Sequence, residues 1–380
     1  MISDYLISLI RCPECQNGLT QSEDQFTCDR CNRGYPIVNG RFVDLRPAIA
    51  FEEQTKYLDE SLHADGRHER VSPPLLTAGV RHRMLRRLLP FTSSDRVVDL
   101  GCGSGRALYW NRDSRADLIG IDASPYFSEE ASKHIDLVVG DLRRLPVADG
   151  AFTKAISLDV VEHLSRDGVR AMLMEAHRVL DNGGKFFIYS HVRKNARIAV
   201  GLRLINRVAS ALETLGWIDL RQERLRKSDH LNALADHADF RQVVSEAGFR
   251  VARIRYYTPL VGGLVENIFM RVIERWMARR RSQASSSSLP DEEALRAARL
   301  DAKSTIGQTG WLYKGLRVVT RVMMLDMMLF GRLQSGPFFA VLAKQTQGED
   351  ARALAKIEEQ RASELLQAQV SKLDQQDDAT

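Results

Sequence analysis

The chain has few cysteines and no long hydrophobic run. Five cysteines occur in 380 residues, and four of them lie within the first 31 positions. A secreted disulfide protein usually spreads its cysteines along the chain, so this clustering indicates metal binding in a reducing compartment. No window of about 18 residues is apolar and free of charge, which argues against a simple transmembrane helix. The N-terminus lacks the pattern of a signal peptide, so we expect a cytoplasmic protein.

The overall composition is that of an ordinary globular protein, with 44% hydrophobic and 27% charged residues. It excludes collagen-like, mucin-like and fully disordered chains. The net charge of +5 is unevenly distributed. Residues 193–346 hold 26 Lys and Arg against 14 Asp and Glu, whereas residues 1–192 hold 24 against 27 and residues 347–380 hold 4 against 8. Any function must explain this basic excess in the second half.

Short β-branched runs alternate with helical stretches between residues 95 and 192. The runs are RVVDLG, LIGID, LVVGD, KAISLD and KFFIYS. Both faces of each run are apolar, which is typical of buried parallel strands. Such alternation predicts a doubly wound α/β sheet. DFRQVVSEAGFRVARIRYY predicts a further helix and strand, and PFFAVLAKQ predicts the last strand.

The chain divides into five parts on these patterns. They are a small cysteine-containing unit at 1–47, the α/β domain at 48–258, a helical insertion at 259–335, the last strand of the sheet at 336–346, and a polar tail at 347–380. The Ser-rich stretch SQASSSSLPDEE predicts a flexible surface linker within the insertion. The tail predicts a frayed helix followed by disorder.

The N-terminal cysteines form two knuckles, spaced Cys12-x2-Cys15-x12-Cys28-x2-Cys31. Four thiolates in this spacing suit a tetrahedral Zn²⁺ ion, with redox-active cysteines as the alternative. A closed four-thiolate site has no open position, so the zinc is expected to be structural. The surrounding sequence, including YPI and a later glycine after the second knuckle, resembles the zinc-ribbon family of tRNA-methyltransferase activators over about 45 residues.

A glycine-rich turn follows the first predicted strand of the sheet. Its sequence, VVDLGCGSG, has the spacing G-x-G-x-G behind Asp99, unlike the G-x-G-x-x-G of the dinucleotide fingerprint. Small residues let a ligand lie against the backbone, and a carboxylate suits a cationic amino-acid end. Asp122 ends the second strand, where it can accept from ribose hydroxyls. Asp141 ends the third, where an adenine amino group would need an acceptor. Ligands of open α/β sheets lie at these carboxyl ends.

Together these residues resemble class I S-adenosylmethionine-dependent methyltransferases. HRVLDNGGKFFIYS matches the helix, turn and fifth strand of that family, and the resemblance covers residues 80–192 and, more loosely, 230–258. It implies S-adenosylmethionine as cofactor. The implied cofactor-binding residues are Asp99, Gly101, Cys102, Gly103, Gly105, Asp122, Ala123, Asp141, Leu142 and Leu158. Cys102 itself is expected to be a packing residue within the turn. A Rossmann-like domain with another cofactor, or none, is the alternative.

The candidate chemistry lies in SLDVVEHL, after the fourth strand. Asp159, Glu162 and His163 resemble the E-x-x-E-H motif of the ubiquinone O-methyltransferases, which implies a divalent metal near the acceptor. The first residue here is Asp, one carbon shorter than Glu. His163 is alternatively a general base, or Glu162 orients it and His163 only lines the pocket. His191 and His230 are expected to be surface or hydrogen-bonded histidines.

The insertion combines positive charge with large apolar residues. ENIFMRVIERWMARRR places its apolar residues at helical intervals, and GLRVVTRVMMLDMMLFGRL is almost entirely apolar but is interrupted by Arg317, Arg321 and Asp326. A basic amphipathic helix can lie in a membrane interface. A substrate lid packed on the domain and a protein-binding surface are the alternatives, since Met-rich helices usually pack against something.

These patterns predict a zinc-ribbon methyltransferase that acts on a hydrophobic, lipid-linked or sugar-linked small molecule. The expected methyl acceptor is an oxygen, and a carbon or a nitrogen is the alternative. It would be cytoplasmic, or peripheral on the inner face of a membrane through residues 260–335. The alternative is an RNA base methyltransferase with a zinc-ribbon RNA-binding module. Against RNA, the fourth-strand motif is DVVEHL rather than an NPPY-like motif. The basic residues are also mixed with aliphatic side chains rather than with aromatic ones that stack on bases.

Overall fold

The computed structural model describes residues 2–47, 71–193, 200–218, 220, 230–231, 233–258, 260–273, 275 and 310–345. The Ser-rich linker and the predicted frayed, disordered tail at 347–380 lie outside the described residues. So do residues 274 and 276–281 of the predicted helix ENIFMRVIERWMARRR.

The predicted strands of the α/β domain are all present. They are β5 (Arg96–Leu100), β6 (Asp117–Asp122), β7 (Asp136–Val139), β8 (Phe152–Leu158), β9 (Leu180–His191), β10 (Phe249–Tyr256) and β11 (Pro337–Lys344). The N-terminal unit adds β1 (Thr20–Gln21), β2 (Gln25–Cys28), β3 (Arg33–Val38) and β4 (Phe42–Asp44). The helices are α1 (Asp4–Leu9), α2 (Leu76–Leu88), α3 (Arg106–Tyr109), α4 (Arg166–Val179), α5 (Val200–Thr214), α6 (His237–Glu246), α7 (Leu260–Leu264) and α8 (Trp311–Phe330).

The strands pair in one sheet in the order β1-β2-β3-β4-β7-β6-β5-β8-β9-β11-β10. Strands β7, β6, β5, β8 and β9 are parallel, and β11 inserts antiparallel between β9 and β10. The order reverses on either side of β5, so this is the predicted doubly wound sheet, with the insertion before its last strand. All parallel strands end at the same edge, which gathers their final residues into one cleft.

Local sequence signals define the helix ends. The Ser165 side chain accepts from the Gly168 amide at the start of α4, and Asp236 accepts from two amides at the start of α6. Both are N-cap residues that satisfy orphan helical donors. Gly248 adopts a left-handed φ of 80° between α6 and β10, which is the Gly stop expected from the sequence.

The N-terminal unit is continuous with the sheet. Strand β4 pairs in parallel with β7, with Val43 opposite Val138, and the Arg11 amide donates to Pro146 O at 2.8 Å. Leu6 and Ile10 are fully buried in the core that also contains Val138 and the central strands. The ribbon therefore shares a hydrophobic core with the α/β domain.

The insertion packs over α2. Thr320 of α8 accepts from the Leu76 amide at 2.9 Å, and Gly79 lies so close to Thr320 that a Cβ there would stand 2.6 Å from its methyl carbon. Glu266, just after α7, accepts from the Thr77 amide at 2.9 Å. The buried carboxylate of Asp326 accepts from the amides of Val261 and Gly262, which fixes α7 against α8. In the described part of the chain, no helix is both long enough and apolar enough to cross a membrane.

Candidate functional site

Asp99 lies at the end of β5 and is almost completely buried, with 1% of its surface exposed. Its Oδ1 has no hydrogen-bond partner among the described residues. Burial and the nearby charge of Asp122 hold the pKa of Asp99 well above its usual range. A buried carboxylate without a partner is costly to charge, so this position calls for a cationic ligand group.

The glycines of the turn are required by its backbone. Gly101, Gly103 and Gly105 all have positive φ, at 82°, 54° and 82°. A Cβ at Gly101 would overlap the side chain of Val160, whereas one at Gly103 would meet nothing within 4 Å. Gly103 thus leaves open space where a ligand could approach the backbone.

Asp122 is the last residue of β6, and Asp141 lies two residues after the end of β7. Both Asp122 oxygens accept backbone amides, Oδ2 from Gly103 at 2.7 Å and Oδ1 from Ser124 at 2.9 Å. These bonds tie the end of β6 to the glycine turn and orient the carboxylate. Asp141 forms a bidentate ion pair with Arg143, with contacts of 3.0–3.2 Å. An adenine amino group would therefore share Asp141 with that guanidinium.

The remaining expected cofactor-binding residues differ in exposure. Leu142 is buried with 8% of its surface exposed, and Ala123 and Leu158 are half-buried. Cys102 is buried, and a Cβ at Gly120 would lie 2.7 Å from its sulfur. Burial and the charges of Asp122 and Asp99 raise the pKa of the Cys102 thiol well above its usual value. A buried neutral thiol that packs against a glycine fills space in the core and is not a nucleophile.

Asp159 follows β8 with a left-handed φ of 57°. Its carboxylate contacts the guanidinium of Arg81 in α2. The Arg81 guanidinium also lies over the ring of Tyr189, with 4.7 Å from its carbon to the ring centroid. Asp159 is therefore engaged in an ion pair on the α2 side of the cleft.

Glu162 and His163 lie in the short turn Val161–His163, which follows Asp159 in the chain. Glu162 is 3% exposed and accepts from Ser190 Oγ at 2.9 Å. Burial, with a smaller contribution from Asp159, raises the pKa of Glu162 to about 8. The Nδ1 of His191 lies 3.8 Å from Glu162 Oε1, and the His230 ring packs edge-on against His163 at 4.7 Å between centroids.

The three residues that the motif groups together thus have different partners. One donor atom each of Glu162, His163 and His230 lie within 4.8 Å of one another, and Asp159 is not in this group. The sequence predicts that His191 and His230 are surface or hydrogen-bonded histidines, whereas both lie beside Glu162 and His163. Nothing in the sequence points to Arg81. The positions of these three residues depend on the folding of distant segments, so local spacing carries no signal for them. For His230, the sequence carries one signal, which is its position just before the predicted helix DFRQVVSEAGF.

The four N-terminal thiols converge as predicted. Cys12, Cys15, Cys28 and Cys31 have their sulfur atoms within 4.8 Å of one another. The Sγ distances are 3.9 Å between Cys12 and Cys31 and 3.6 Å between Cys15 and Cys28. A ZnS4 tetrahedron with Zn–S bonds of about 2.3 Å has S–S edges of about 3.8 Å. The donor set and its spacing therefore fit a tetrahedral zinc ion.

Residues 98–188 match the family model described as a methyltransferase domain. This match covers the glycine turn, the ends of β6 to β8, and most of β9. The chain contains a class I S-adenosylmethionine-dependent methyltransferase domain. The buried carboxylate of Asp99 and the open space at Gly103 fit the cationic methionine end of that cofactor, so both features of the methyltransferase domain agree with the cofactor of the family.

Several curated methyltransferases resemble this methyltransferase domain. A tRNA (carboxymethyluridine(34)-5-O)-methyltransferase of Xenopus tropicalis is 36% identical over 95 residues, which are 24% of this chain and 15% of the relative. A malonyl-[acyl-carrier protein] O-methyltransferase of Dechloromonas aromatica is 28% identical over 193 residues, 48% of this chain and 63% of the relative. The chain thus spans less than two thirds of the length of these relatives. Among solved structures, phosphoethanolamine N-methyltransferase 2 of Haemonchus contortus aligns with a TM-score of 0.46 and 15% identity, over 78% of this chain and 62% of that one.

Proposed function

We propose that this protein transfers a methyl group from S-adenosylmethionine to an oxygen of a hydrophobic or lipid-linked acceptor at the surface of a membrane. The acceptor can carry a sugar or other polar head group. One observation supports this choice of acceptor: the outward face of α8 is apolar and basic. We call this face the α8 surface.

The α8 surface follows a helical repeat. Its exposed apolar residues are Trp311, Val318, Val322, Leu325, Met328 and Leu329, and its exposed basic residues are Lys314, Arg317 and Arg321. Trp311 is 85% exposed and Met328 is 74% exposed. Asp326, the one acidic residue in the sequence of this helix, is buried against α7. The α8 surface therefore presents bulky apolar groups and positive charge without a negative charge.

Positive charge is concentrated where α8 meets α2. Burial, together with the charges of Arg321 and Arg317, lowers the pKa of Arg83 in α2. The neighbouring guanidinium groups repel one another, and an anionic surface placed against them would relieve this repulsion. Each basic side chain near an anionic bilayer contributes about 1 kcal/mol to binding, and exposed apolar side chains add to this by entering the interface.

The α8 surface is linked to the cleft through α2. That helix carries Arg83 beside α8 and Arg81 beside Asp159. An acceptor with a lipid tail could therefore remain in the interface while its polar head reaches the cleft. We assign Asp159, Glu162 and His163 to the acceptor side of the cleft, with Asp99 and the glycine turn on the cofactor side. When bound, S-adenosylmethionine supplies an electrophilic methyl group, and alignment of the acceptor by the chain contributes most of the rate.

We also propose that Cys12, Cys15, Cys28 and Cys31 hold a structural zinc ion. The sulfur spacing given above supports this assignment. Since four thiolates complete a tetrahedral ion, the zinc would have no open position for a substrate. Its role would be to stabilise the ribbon that pairs with the edge of the sheet.

RNA is the second candidate acceptor, because the curated relatives include a tRNA methyltransferase of Xenopus tropicalis. An RNA enzyme would bind RNA with a steep dependence on salt and would be indifferent to vesicles. The α8 surface favours the lipid interface, because all of its exposed apolar side chains except Trp311 are non-aromatic. Stacking on single-stranded bases uses aromatic side chains instead.

The acceptor class is tested by labelling. The full chain is incubated with S-adenosylmethionine carrying a labelled methyl group and with cell extract separated into lipid, RNA, protein and small-molecule fractions. We expect label in the lipid fraction, and base-labile loss of that label would identify a methyl ester. Label in RNA alone would replace this proposal with the second candidate. No label in any fraction would argue against methyl transfer by this chain.

The membrane contact is tested separately by sedimentation with vesicles. We expect binding to vesicles that contain anionic phosphatidylglycerol and weak binding to neutral phosphatidylcholine vesicles. Met328→Glu should reduce binding by about tenfold or more, because it places a charge on the apolar part of the α8 surface. Met174→Glu is the matched control, because Met174 is also an exposed methionine, 62% exposed, but lies on α4. Equal loss in both variants, or no preference for anionic vesicles, would contradict a role for the α8 surface.

A further inference from the structure

Two imidazoles and a carboxylate meet on the acceptor side of the cleft. Glu162 and His163 come from the turn after β8, and His230 comes from the segment that precedes α6. One donor atom of each lies within 4.8 Å of the other two. The rings of His163 and His230 are nearly perpendicular, with 85° between their planes. Side chains from two distant parts of the sequence thus converge on one point.

Backbone and side-chain hydrogen bonds hold this arrangement. The Leu231 amide donates to Glu162 O at 2.8 Å, so the segment carrying His230 is fastened directly to the turn that carries the other two donors. Ser190 Oγ donates to Glu162 Oε2 at 2.9 Å, which orients the carboxylate. His191 Nδ1 lies 3.8 Å from the other oxygen, Oε1. Groups that orient a ligand in this way are characteristic of metal sites.

The composition of the group selects the kind of ion. Imidazole nitrogen suits zinc, iron, cobalt and nickel, and two histidines with one carboxylate leave coordination positions open. A Mg²⁺ or Ca²⁺ site would be built from oxygen ligands instead. Metal–ligand distances of about 2.0–2.2 Å place three donors of one ion about 3.0–3.8 Å from one another. The donors here lie within 4.8 Å of one another, so the side chains would have to close by about 2 Å at most.

Asp159 does not complete the group. Its carboxylate is paired with Arg81, whose positive charge would oppose a cation at that position. The fourth residue near the group is His191, which contacts Glu162 and lies 5.3 Å from the His230 ring between centroids. The described geometry therefore favours a ligand set that spans the turn and the segment before α6, rather than the D-x-x-E-H sequence motif alone.

We propose that Glu162, His163 and His230 bind a divalent transition-metal ion, with Ser190 and His191 orienting the glutamate. This second metal site is distinct from the four-thiolate ribbon. Its role in catalysis rests on the proposed function: the open positions of the ion would hold a hydroxyl oxygen of the acceptor and favour transfer of its proton to water. Metal binding itself can be measured whether or not methyl transfer is observed.

The test uses the full chain with zinc retained in its ribbon and weakly held metal removed by a mild chelator. Cobalt(II) is the probe, because its absorption spectrum distinguishes nitrogen and oxygen ligands from thiolates. We expect one additional Co²⁺ per chain, with weak ligand-field bands and without intense thiolate charge-transfer bands. No additional Co²⁺, or bands of thiolate ligation alone, would overturn the proposal.

Variants identify the ligands. His163→Ala and His230→Ala should each weaken Co²⁺ binding by at least about tenfold, and Ser190→Ala by a smaller factor. His177→Ala is the control, because this histidine packs against Phe249 away from the cleft. If His230→Ala binds Co²⁺ as tightly as the unmodified chain does, the proposed ligand set is wrong. If an alanine variant folds poorly, the melting temperature is measured with and without Co²⁺ instead. We expect Co²⁺ to raise the melting temperature of the unmodified chain and to raise that of His230→Gln much less.

The two proposals fail in different ways. If Co²⁺ binds as expected and no fraction of cell extract is methylated, the metal site stands and the proposed function fails. If methylation proceeds at an unchanged rate in the metal-free chain and in His230→Ala, the proposed role of the ion in catalysis fails while the methyltransferase function stands.

Discussion

The guanidinium of Arg81 contacts the carboxylate of Asp159, and this pair ties α2 to the end of β8. The pair joins the helix on which the insertion packs to the strand that leads into the acceptor side. Asp159 also adopts a left-handed backbone conformation, so the turn is held by a side chain rather than by an unstrained local structure.

Asp159→Asn should lower the free energy of unfolding by about 1–3 kcal/mol, because a charge-assisted hydrogen bond to Arg81 is lost. Urea unfolding of Asp159→Asn, of Arg81→Gln and of the double variant measures the interaction free energy between the two side chains. We expect the two losses to be clearly less than additive. Additive losses would mean that the pair contributes no coupling.

Asp99→Asn should weaken S-adenosylmethionine binding by about 30-fold or more, because it would remove the proposed ion pair between this buried carboxylate and the cationic methionine end of the cofactor. The same variant should be at least as stable as the unmodified chain without cofactor. Burial raises the pKa of Asp99, so its ionisation opposes folding increasingly as pH rises above the ordinary carboxyl range towards that raised value. Calorimetric titration measures the affinity for the cofactor, and thermal unfolding at neutral pH measures the stability without it.

Asp95→Asn is the matched comparison near the start of the same strand. Burial acts to raise the pKa of Asp95, but hydrogen bonds from Lys154 and Thr92 lower it to about 2. Its stabilising effect is therefore present above about pH 4 and is lost as pH falls through 2. We expect this variant to lose about 2 kcal/mol at neutral pH and to retain cofactor binding. A gain in stability at Asp95, or a loss at Asp99, would contradict the assignment.

Gly101→Ala and Gly103→Ala separate packing from ligand approach. The first should lower stability by about 2–4 kcal/mol, because it combines a left-handed conformation with overlap against Val160. The second should lower stability by only about 1–2 kcal/mol, because nothing lies within 4 Å of the added carbon. Its main effect should be weaker cofactor binding, measured by calorimetry. A large stability loss at Gly103 with unchanged cofactor affinity would be the opposite result.

Cys28→Ser should release zinc and destabilise the whole described core, by more than about 3 kcal/mol. Cys28 belongs to the hydrophobic core shared by the ribbon and the sheet. Cys102→Ala is the control, because Cys102 lies outside the ribbon and should leave the zinc content unchanged. Zinc analysis and thermal unfolding followed in β-sheet signals provide the measurement. A sheet that melts normally after zinc loss would show that the ribbon is energetically independent.

The sequence was sufficient to predict the strands of the α/β domain, because each is a short apolar run ending in a characteristic polar or glycine residue. It also predicted that Asp99, Asp122 and Asp141 lie near the carboxyl ends of neighbouring strands, and the structure places Asp141 two residues beyond β7. These relations are local, or they follow from the regular geometry of parallel strands.

The sequence did not predict the environment of Asp159 or of His230. The motif places Asp159 beside Glu162 and His163, but Arg81 arrives from a helix far away in sequence and pairs with it. His230 is brought to the cleft by the Leu231 amide, which donates to Glu162 O. These contacts join segments that are far apart in the sequence, so the local spacing of residues does not predict them.

The pairing of β4 with β7 has a consequence for how the chain can be divided. Without residues 1–47, the backbone groups of β7 on that side would have no strand beside them, and an open strand edge readily pairs with another copy. A fragment that begins at residue 48 should therefore associate edge to edge rather than remain monomeric. The ribbon, in this respect, covers the β7 edge of the sheet, and we expect the smallest fragment that resists this association to begin ahead of the first cysteine.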